Sequence, residues 1–167
     1  MCGICGQLRF DKEMVSSKSL VDMMRKLARR GPDSNGKWLE DKIGFGHQRL
    51  SVIDLSNLGS QPMLDDPLNL TLVFNGTIYN YKTLRTDLIG KGYSFFSSSD
   101  TEVILKAYHY WGDDCVKHLD GMFAFAIWNK SSQQLFVARD RMGIKPLYYN
   151  LTQKAFTFAS NSCIMYM

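Results

Sequence analysis

The chain has 167 residues, of which 45% are hydrophobic and 22% are charged, as in one soluble globular domain. Its net charge of +4 is small, and the sequence has no segment in which aromatic and basic residues alternate. We therefore expect no nucleic-acid binding. No apolar segment is long enough to cross a bilayer, and the first residues do not resemble a signal peptide. The cytoplasm, where thiols stay reduced, is therefore the expected compartment.

The first half of the chain predicts three strands, one helix and a long loop. Leu20, Met23, Met24 and Leu27 recur at helical spacing, and Gly31-Pro32 is expected to end that helix. Two prolines and a glycine predict the loop. The predicted ranges are a strand at 4–10, a helix at 19–30, strands at 37–40 and 43–51, and the loop at 58–68.

The second half predicts one strand, two helices and two hairpins. Leu84, Leu88 and Ile89 are the expected buried residues of the first helix, and Ser99 with Glu102 has the capping-box form at the start of the second. The predicted ranges are a strand at 70–75 ending at Asn-Gly, helices at 81–91 and 101–111, hairpin strands at 122–129 and 134–140, and further hairpin strands at 147–150 and 155–160.

The segment GMFAFAIW, residues 121–128, carries apolar side chains on both faces of its strand. Such a strand must be covered from both sides. Helices can supply the cover, so the pattern favours a sheet architecture packed between helix layers.

The first six residues, MCGICG, allow three interpretations. A zinc site would need a second cysteine or histidine pair at matching spacing, and a thioredoxin-like motif should follow a strand and open a helix; the sequence offers neither. A buried strand with incidental cysteines is the simplest structural explanation. The third interpretation is a nucleophile: removal of Met1 would give Cys2 a free amino group, which could accept the proton of its own thiol.

Three further positions suit amide chemistry on an amino acid. Asn75-Gly76 offers an amide side chain and an unhindered backbone N–H for an oxyanion, although Asn-Gly is also a common hairpin turn. Arg49 could bind a carboxylate, or it could simply be an exposed strand arginine. Asp100 could bind an ammonium group, or it could serve the start of a helix.

Eight motifs follow one another along the chain: MCGICG, RRGPDSNG, GHQRLSVIDL, SQPM, VFNGTIYNY, SSSDTEVILKAY, GMFAFAIW and ARDRMGIKPLYY. Their order resembles that of the class II glutamine amidotransferase domains, in the asparagine synthetase family. The match covers nearly the whole chain, and within that family it is most similar to the N-acetylglutaminylglutamine amidotransferases.

The resemblance implies an α+β fold of the N-terminal-nucleophile hydrolases, a four-layer α-β-β-α sandwich of two antiparallel sheets between helix layers. Residues 1–167 would form one glutamine amidotransferase type 2 domain that hydrolyses L-glutamine. It implies Cys2 as nucleophile, Asn75 and Gly76 as oxyanion donors, Arg49 for the substrate carboxylate and Asp100 for its ammonium. Backbone near Leu50, Ser51, Val52 and Ile53 would line the site, and the RRGPD loop would order the pocket.

One position departs from the resemblance. Many asparagine synthetases have glutamate after Asn-Gly, whereas this chain has Thr77, which offers a hydroxyl group in place of a carboxylate. The substrate ammonium would then depend more on Asp100, so affinity is more in question than activity.

The resemblance also bears on cofactors and partners. No metal or organic cofactor is expected for the glutaminase reaction. ATP and magnesium are implied for a C-terminal synthetase domain, whose Ser-Gly-Gly-x-Asp-Ser-type motif is absent from the sequence. That domain, or a separate ammonia-accepting protein, is the expected partner, and a homodimer is also implied. A catalytically silent domain that senses glutamine or docks a partner is the alternative function.

Overall fold

The computed structural model describes residues 1–54 and 56–165, which form two antiparallel sheets and four α-helices. The strands are β1 Gly3–Arg9, β2 Ser34–Glu40, β3 Ile43–Arg49, β4 Met63–Asp65, β5 Leu70–Ile78, β6 Gly121–Asn129, β7 Gln134–Arg139, β8 Tyr148–Leu151 and β9 Ala155–Ala159. The helices are α1 Ser17–Leu27, α2 Tyr81–Gly90, α3 Asp100–Trp111 and α4 Cys115–His118. The first sheet has the order β2-β3-β1-β9-β8 and the second the order β4-β5-β6-β7.

Three apolar cores separate four layers. Leu20, Met23, Met24 and Leu27 of α1 pack on the outer face of the first sheet. A second core, which includes Phe45 and Trp128, lies between the two sheets. The third core joins the second sheet to α2, α3 and α4. The burial of one apolar face by each helix and of both faces by the central strands produces the predicted α-β-β-α order.

Strand β6 has both faces buried, as its sequence predicts. Phe123, Phe125 and Ile127 belong to the core under the helices, whereas Ala124, Ala126 and Trp128 belong to the core between the sheets. Helices therefore cover only one face of this strand, and the other sheet covers the second face.

The prediction that a strand ends at Asn75 is wrong. β5 continues to Ile78, and Asn75 and Gly76 pair with Ala124 and Phe123 of β6. The Asn-Gly pair therefore lies within a ladder and forms no hairpin turn, because a nine-residue partner strand is available to pair with the residues that follow it.

Three further predictions need correction. Residues 58–68 are not entirely loop, since Met63–Asp65 forms the short edge strand β4 against β5. Ile89 is 54% exposed, while Leu84 and Leu88 of the same helix are buried as predicted. The α1 helix also begins at Ser17, and its last predicted turn, Ala28–Arg30, tightens into a 3-10 helix.

Candidate active site

A cavity of about 230 Å³ opens at one end of the space between the two sheets. All ten residues singled out from the sequence line it: Cys2, Arg49, Leu50, Ser51, Val52, Ile53, Asn75, Gly76, Thr77 and Asp100. They come from the start of β1, the end of β3 and the loop after it, the middle of β5 and the start of α3. The structure therefore brings the predicted set together, and the roles assigned to its members remain predictions.

Strand alternation explains why these side chains meet. Ile4 on β1 and Phe45 on β3 belong to the core between the sheets. Because side chains alternate along a strand, Cys2 and Arg49 point to that same side. On β5, Val73 belongs to the same core, so Asn75 points from the second sheet towards the first.

The Cys2 thiol lies against the backbone that follows β3. Its Sγ accepts a hydrogen bond from Leu50 N at 3.3 Å and lies 3.5 Å from the Leu50 carbonyl oxygen. The Cys2 carbonyl accepts a bond from Arg30 Nε at 3.2 Å. Hydrogen bonds therefore hold both the thiol and the carbonyl group of Cys2, and a nucleophile near a chain terminus requires such fixing.

The second cysteine of MCGICG is separated from the first. Cys5 is fully buried beneath α1, and burial raises the pKa of its thiol to about 12. The two thiols lie on opposite faces of the first sheet. Within residues 1–54 and 56–165, no three His, Cys, Asp or Glu side chains are grouped so that they could hold a metal ion.

Asn75 provides a donor directed at the cavity. Its side chain is 1% exposed, and its Nδ2 has no hydrogen-bond partner among the described residues. An unpaired buried donor is costly to a folded protein, and a developing oxyanion would satisfy it. Gly76 follows directly; a Cβ there would lie 2.2 Å from the Met122 carbonyl oxygen, so no other residue fits without moving β6.

Arg49 is held by the loop that follows it. Its Nη1 donates to the Ser56 carbonyl at 3.0 Å, and its Nη2 donates to the Asp54 carbonyl at 2.5 Å. A Cβ at Gly59 would lie 2.8 Å from Nη2, so this glycine lets the loop close around the guanidinium. The arginine thus presents a fixed positive charge to the cavity wall.

A carboxylate that the sequence prediction missed ties this loop to the other side of the cavity. Asp54 Oδ1 accepts bonds from the backbone and hydroxyl of Ser56, and Asp54 Oδ2 accepts bonds from the backbone and hydroxyl of Ser98. Ser98 lies just before α3, so Asp54 connects the Arg49 loop to the segment that carries Asp100.

Asp100 occupies the first position of α3 and is 5% exposed. Its Oδ2 accepts a hydrogen bond from Ile78 N at 3.0 Å. Burial raises the pKa of this carboxyl to about 6, and the bonds from backbone N–H groups oppose that rise. The carboxylate is consequently ionised at neutral pH but close to its titration range.

Ser99 caps the helix as predicted, because its hydroxyl accepts a hydrogen bond from Glu102 N. The Glu102 carboxylate accepts hydrogen bonds from the backbone N–H groups of Phe96 and Ser97 instead of completing a capping box.

The RRGPD segment, residues 29–33, contacts the backbone at the end of β3 and just after it, and its role in ordering the pocket remains a prediction. Asp33 Oδ2 accepts a bond from Ser51 N at 2.8 Å, and Asp33 N donates to the Arg49 carbonyl. Gly31 is required because a Cβ there would lie 2.3 Å from the Gln48 carbonyl oxygen.

His47 is a buried neighbour of the site and does not line the cavity. It is 0% exposed, and burial lowers the pKa of its imidazole to about 3. A base this weak would accept a proton poorly near neutral pH.

Lys145 is a cavity residue that the sequence prediction passed over. It is 5% exposed, and its Nζ lies 3.3 Å from Met1 Sδ. The motif ARDRMGIKPLYY contains it, but no periodicity or spacing in that motif distinguishes a cavity lysine from a surface one. Only the turn between β7 and β8 brings it to Cys2.

A family model described as a glutamine amidotransferase domain matches residues 1–166. The chain belongs to the glutamine amidotransferase family. The family predicted from the eight motifs is confirmed, as is the enzyme class, and relatives place the chain in the asparagine synthetase branch. Asparagine synthetases [glutamine-hydrolyzing] 3 and 1 of Bacillus subtilis are 44% and 43% identical to it, each over 96% of this chain and 26% of their own length.

A third relative, the putative asparagine synthetase [glutamine-hydrolyzing] 2 of Methanocaldococcus jannaschii, is 39% identical over 96% of this chain and 34% of its own. The chain thus spans between a quarter and about a third of these relatives. Glutamine phosphoribosylpyrophosphate amidotransferase from B. subtilis aligns at a TM-score of 0.81 with 22% identity, covering 98% of this chain and 42% of its own. That similarity confirms the N-terminal-nucleophile hydrolase fold.

Among the described residues, no helix has the length and apolar character of a bilayer span.

Proposed function

We propose that this domain hydrolyses L-glutamine to glutamate and ammonia through a thioester on Cys2. The observation that carries the proposal is the meeting of a thiol, an unpaired amide donor and a buried carboxylate around one cavity. Glutamine would place its carboxylate at Arg49 and its ammonium at Asp100. The two charges fix the orientation of a free amino acid and leave its side-chain amide at Cys2.

The reaction requires a free amino group on Cys2. After Met1 is removed, the thiol proton passes to that amine, and the thiolate attacks the amide carbon of glutamine. Asn75 Nδ2 and the Gly76 backbone N–H donate to the resulting oxyanion. The amine returns its proton to the leaving nitrogen, ammonia departs, and water then cleaves the thioester to release glutamate.

The ammonia would be used in the ATP-dependent synthesis of an amide from a carboxylate. The names of the relatives favour asparagine as product, and the motif pattern also suits an amide of N-acetylglutaminylglutamine. ATP and magnesium would belong to a C-terminal synthetase domain or a separate ammonia-accepting protein, and the glutaminase step itself needs neither. A homodimer remains a prediction from the family resemblance. The four cysteines are free, which supports a reducing cytoplasm as the location.

The test combines intact mass, covalent labelling and turnover. We expect the purified protein to lack Met1, to form one covalent adduct with a diazo-ketone analogue of glutamine on Cys2, and to form no adduct when excess glutamine is present during labelling. Cys2→Ala should abolish ammonia release while glutamine still binds. Cys163→Ala, which changes an exposed free thiol, is the matched control and should retain full activity.

A silent domain is the alternative, and one observation bears on it. The Met1 side chain lines the cavity, so a chain that kept Met1 would lack the base and would fill part of the substrate site. Glutamine binding with Met1 retained and no adduct would favour the sensing or docking function. Ammonia release by Cys2→Ala at the rate of the parent would exclude Cys2 as nucleophile.

A further inference from the structure

Lys145 is a buried ammonium group on the wall of the cavity. Its side chain lines the same cavity as Cys2, contacts Met1 and is 5% exposed. Across residues 1–54 and 56–165 its Nζ has one hydrogen-bond partner, Met1 Sδ at 3.3 Å, and forms no ion pair. A thioether sulfur is a weak acceptor, so this charge is poorly compensated.

The backbone of Lys145 is fixed by its own turn. Its N–H donates to Asp140 Oδ2 at 3.0 Å, and its carbonyl accepts from Arg139 Nε at 2.6 Å. The same Asp140 oxygen accepts from Phe123 N on β6. The backbone of Lys145 is thus anchored to the second sheet. Its ammonium group instead contacts Met1, which lies just before β1 of the first sheet.

Charged groups approach Cys2 from several elements. Arg30, after α1, contacts the Cys2 carbonyl, and Lys145 comes from the turn after β7. Burial lowers the pKa of both cations; the charge of Arg30 lowers the pKa of Lys145 further, while Cys2 and Asp140 oppose that effect.

Two more charged groups, Arg49 on β3 and Asp100 on α3, face the same cavity. Tyr148 on β8 acts on this set through its electrostatic interaction with Arg30.

Removal of Met1 changes what Lys145 faces. Met1 is bonded to the Cys2 nitrogen, so Lys145 contacts the side chain of the residue whose removal creates the new amino group. The acceptor Sδ disappears with Met1. Lys145 then remains on the wall of the cavity that Cys2 lines, where its charge interacts with the residue whose thiol and amine must exchange a proton.

Building on the proposed function, we propose that Lys145 is a positioning residue that sets the protonation state of Cys2. A Cys2 that carries both –SH and –NH₃⁺ has a charge of +1 and is unreactive. Loss of one proton brings the pair to zero charge, whether the proton leaves from sulfur or from nitrogen. A neighbouring positive charge favours that loss in either case, and so keeps the reactive form populated near neutral pH.

The experiment follows the pH dependence of Cys2 modification by iodoacetamide in the full chain, after intact mass has shown that Met1 is absent. Iodoacetamide is uncharged and does not depend on Arg49 or Asp100 for binding, and peptide mass separates Cys2 from the exposed Cys163. Lys145→Met removes the charge, and Lys145→Arg keeps it. Lys18→Met is the matched control, because Lys18 is an exposed lysine in the first turn of α1 and does not line the cavity.

We expect Lys145→Met to displace the midpoint of Cys2 modification to higher pH by roughly one unit, the lower end of the effect of one neighbouring charge. On the acid side this is about a tenfold slower reaction. Lys145→Arg and Lys18→Met should superimpose on the parent. An unmoved midpoint in Lys145→Met, or slower reaction at every pH without displacement, would overturn the inference. Lys145→Gln, read in the same way, replaces Lys145→Met if that variant does not fold.

Failure of this inference is distinguishable from failure of the proposed function. Glutamine turnover and labelling by the diazo-ketone analogue of glutamine test the function, whereas the iodoacetamide midpoint tests Lys145 alone. A parent chain that turns over glutamine while Lys145→Met keeps its midpoint refutes only the role of Lys145. A displaced midpoint in a chain that never releases ammonia refutes only the proposed function.

Discussion

Replacement of Asp100 by asparagine should weaken glutamine binding and abolish its dependence on pH between 5 and 7. Asp100 is the buried carboxylate that we assign to the substrate ammonium, and burial raises its pKa to about 6. Asparagine has the same shape and can still accept the bond from Ile78 N through its oxygen. The substitution therefore removes the charge and preserves the local backbone contact.

The raised pKa of Asp100 sets the expected magnitudes. With a pKa near 6, about nine-tenths of Asp100 is ionised at pH 7 and about one-tenth at pH 5, so the parent Kd should rise about tenfold over this range. A hydrogen bond to a charged group is worth roughly 1.5–3 kcal/mol, so Asp100→Asn should bind roughly 10- to 150-fold more weakly at pH 7. The difference in Kd between the two proteins should shrink about tenfold from pH 7 to pH 5, where the parent carboxyl is largely protonated.

Stability gives a second, opposite readout. The folded pKa of Asp100 lies above the ordinary value of 3.8, so the ionised carboxylate destabilises the folded state above pH 6 and this cost disappears as the pH falls. Asp100→Asn should raise the free energy of unfolding at pH 7 by up to about 3 kcal/mol, the equivalent of this shift. Urea denaturation measures it.

Binding should be measured by calorimetry in a Cys2→Ala background, which avoids turnover. Asp113→Asn, at an exposed acidic residue beyond α3, is the control and should match its parent in both assays. Equal glutamine affinity with and without Asp100→Asn at pH 7, or a tenfold pH effect that persists in the variant, would refute the assignment of this carboxylate.

Two other substitutions test the surroundings of the site. Gly76→Ala places a Cβ 2.2 Å from the Met122 carbonyl, so strands β5 and β6 must separate; we expect the free energy of unfolding, measured by urea denaturation, to fall by about 1–3 kcal/mol and kcat to fall at least a hundredfold. Gly90→Ala is the control, because its Cβ meets nothing within 4 Å, and it should change neither quantity. His47 has a folded pKa of about 3, below its ordinary value of 6.5, so it contributes stability above pH 6.5 that is lost as the pH falls. Relative to His47→Leu, the parent should lose about 3 kcal/mol between pH 6.5 and 4, and parallel stability curves for the two proteins would contradict the burial argument.

Local sequence patterns determined most of the secondary structure. The apolar spacing of Leu20 to Leu27 gave α1, and the two-faced segment at 121–128 required a strand inside the molecule, because both patterns demand burial in a defined direction. Ordered motifs determined the family and the set of candidate residues. These signals are carried by short segments, so they are readable without long-range contacts.

Tertiary structure decided what local signals could not. Asn75-Gly76 has the local character of a turn, yet it continues a strand because β6 is present to pair with it. Ile89 has the right apolar chemistry but no layer above it, so it stays exposed. Asp54 and Lys145 gain their positions from partners 44 and 144 residues away, Ser98 and Met1. The sequence by itself determined which groups could act on an amide; the packing of two sheets determined which of them share a cavity and with what charge, because pKa and geometry depend on neighbours distant in the chain.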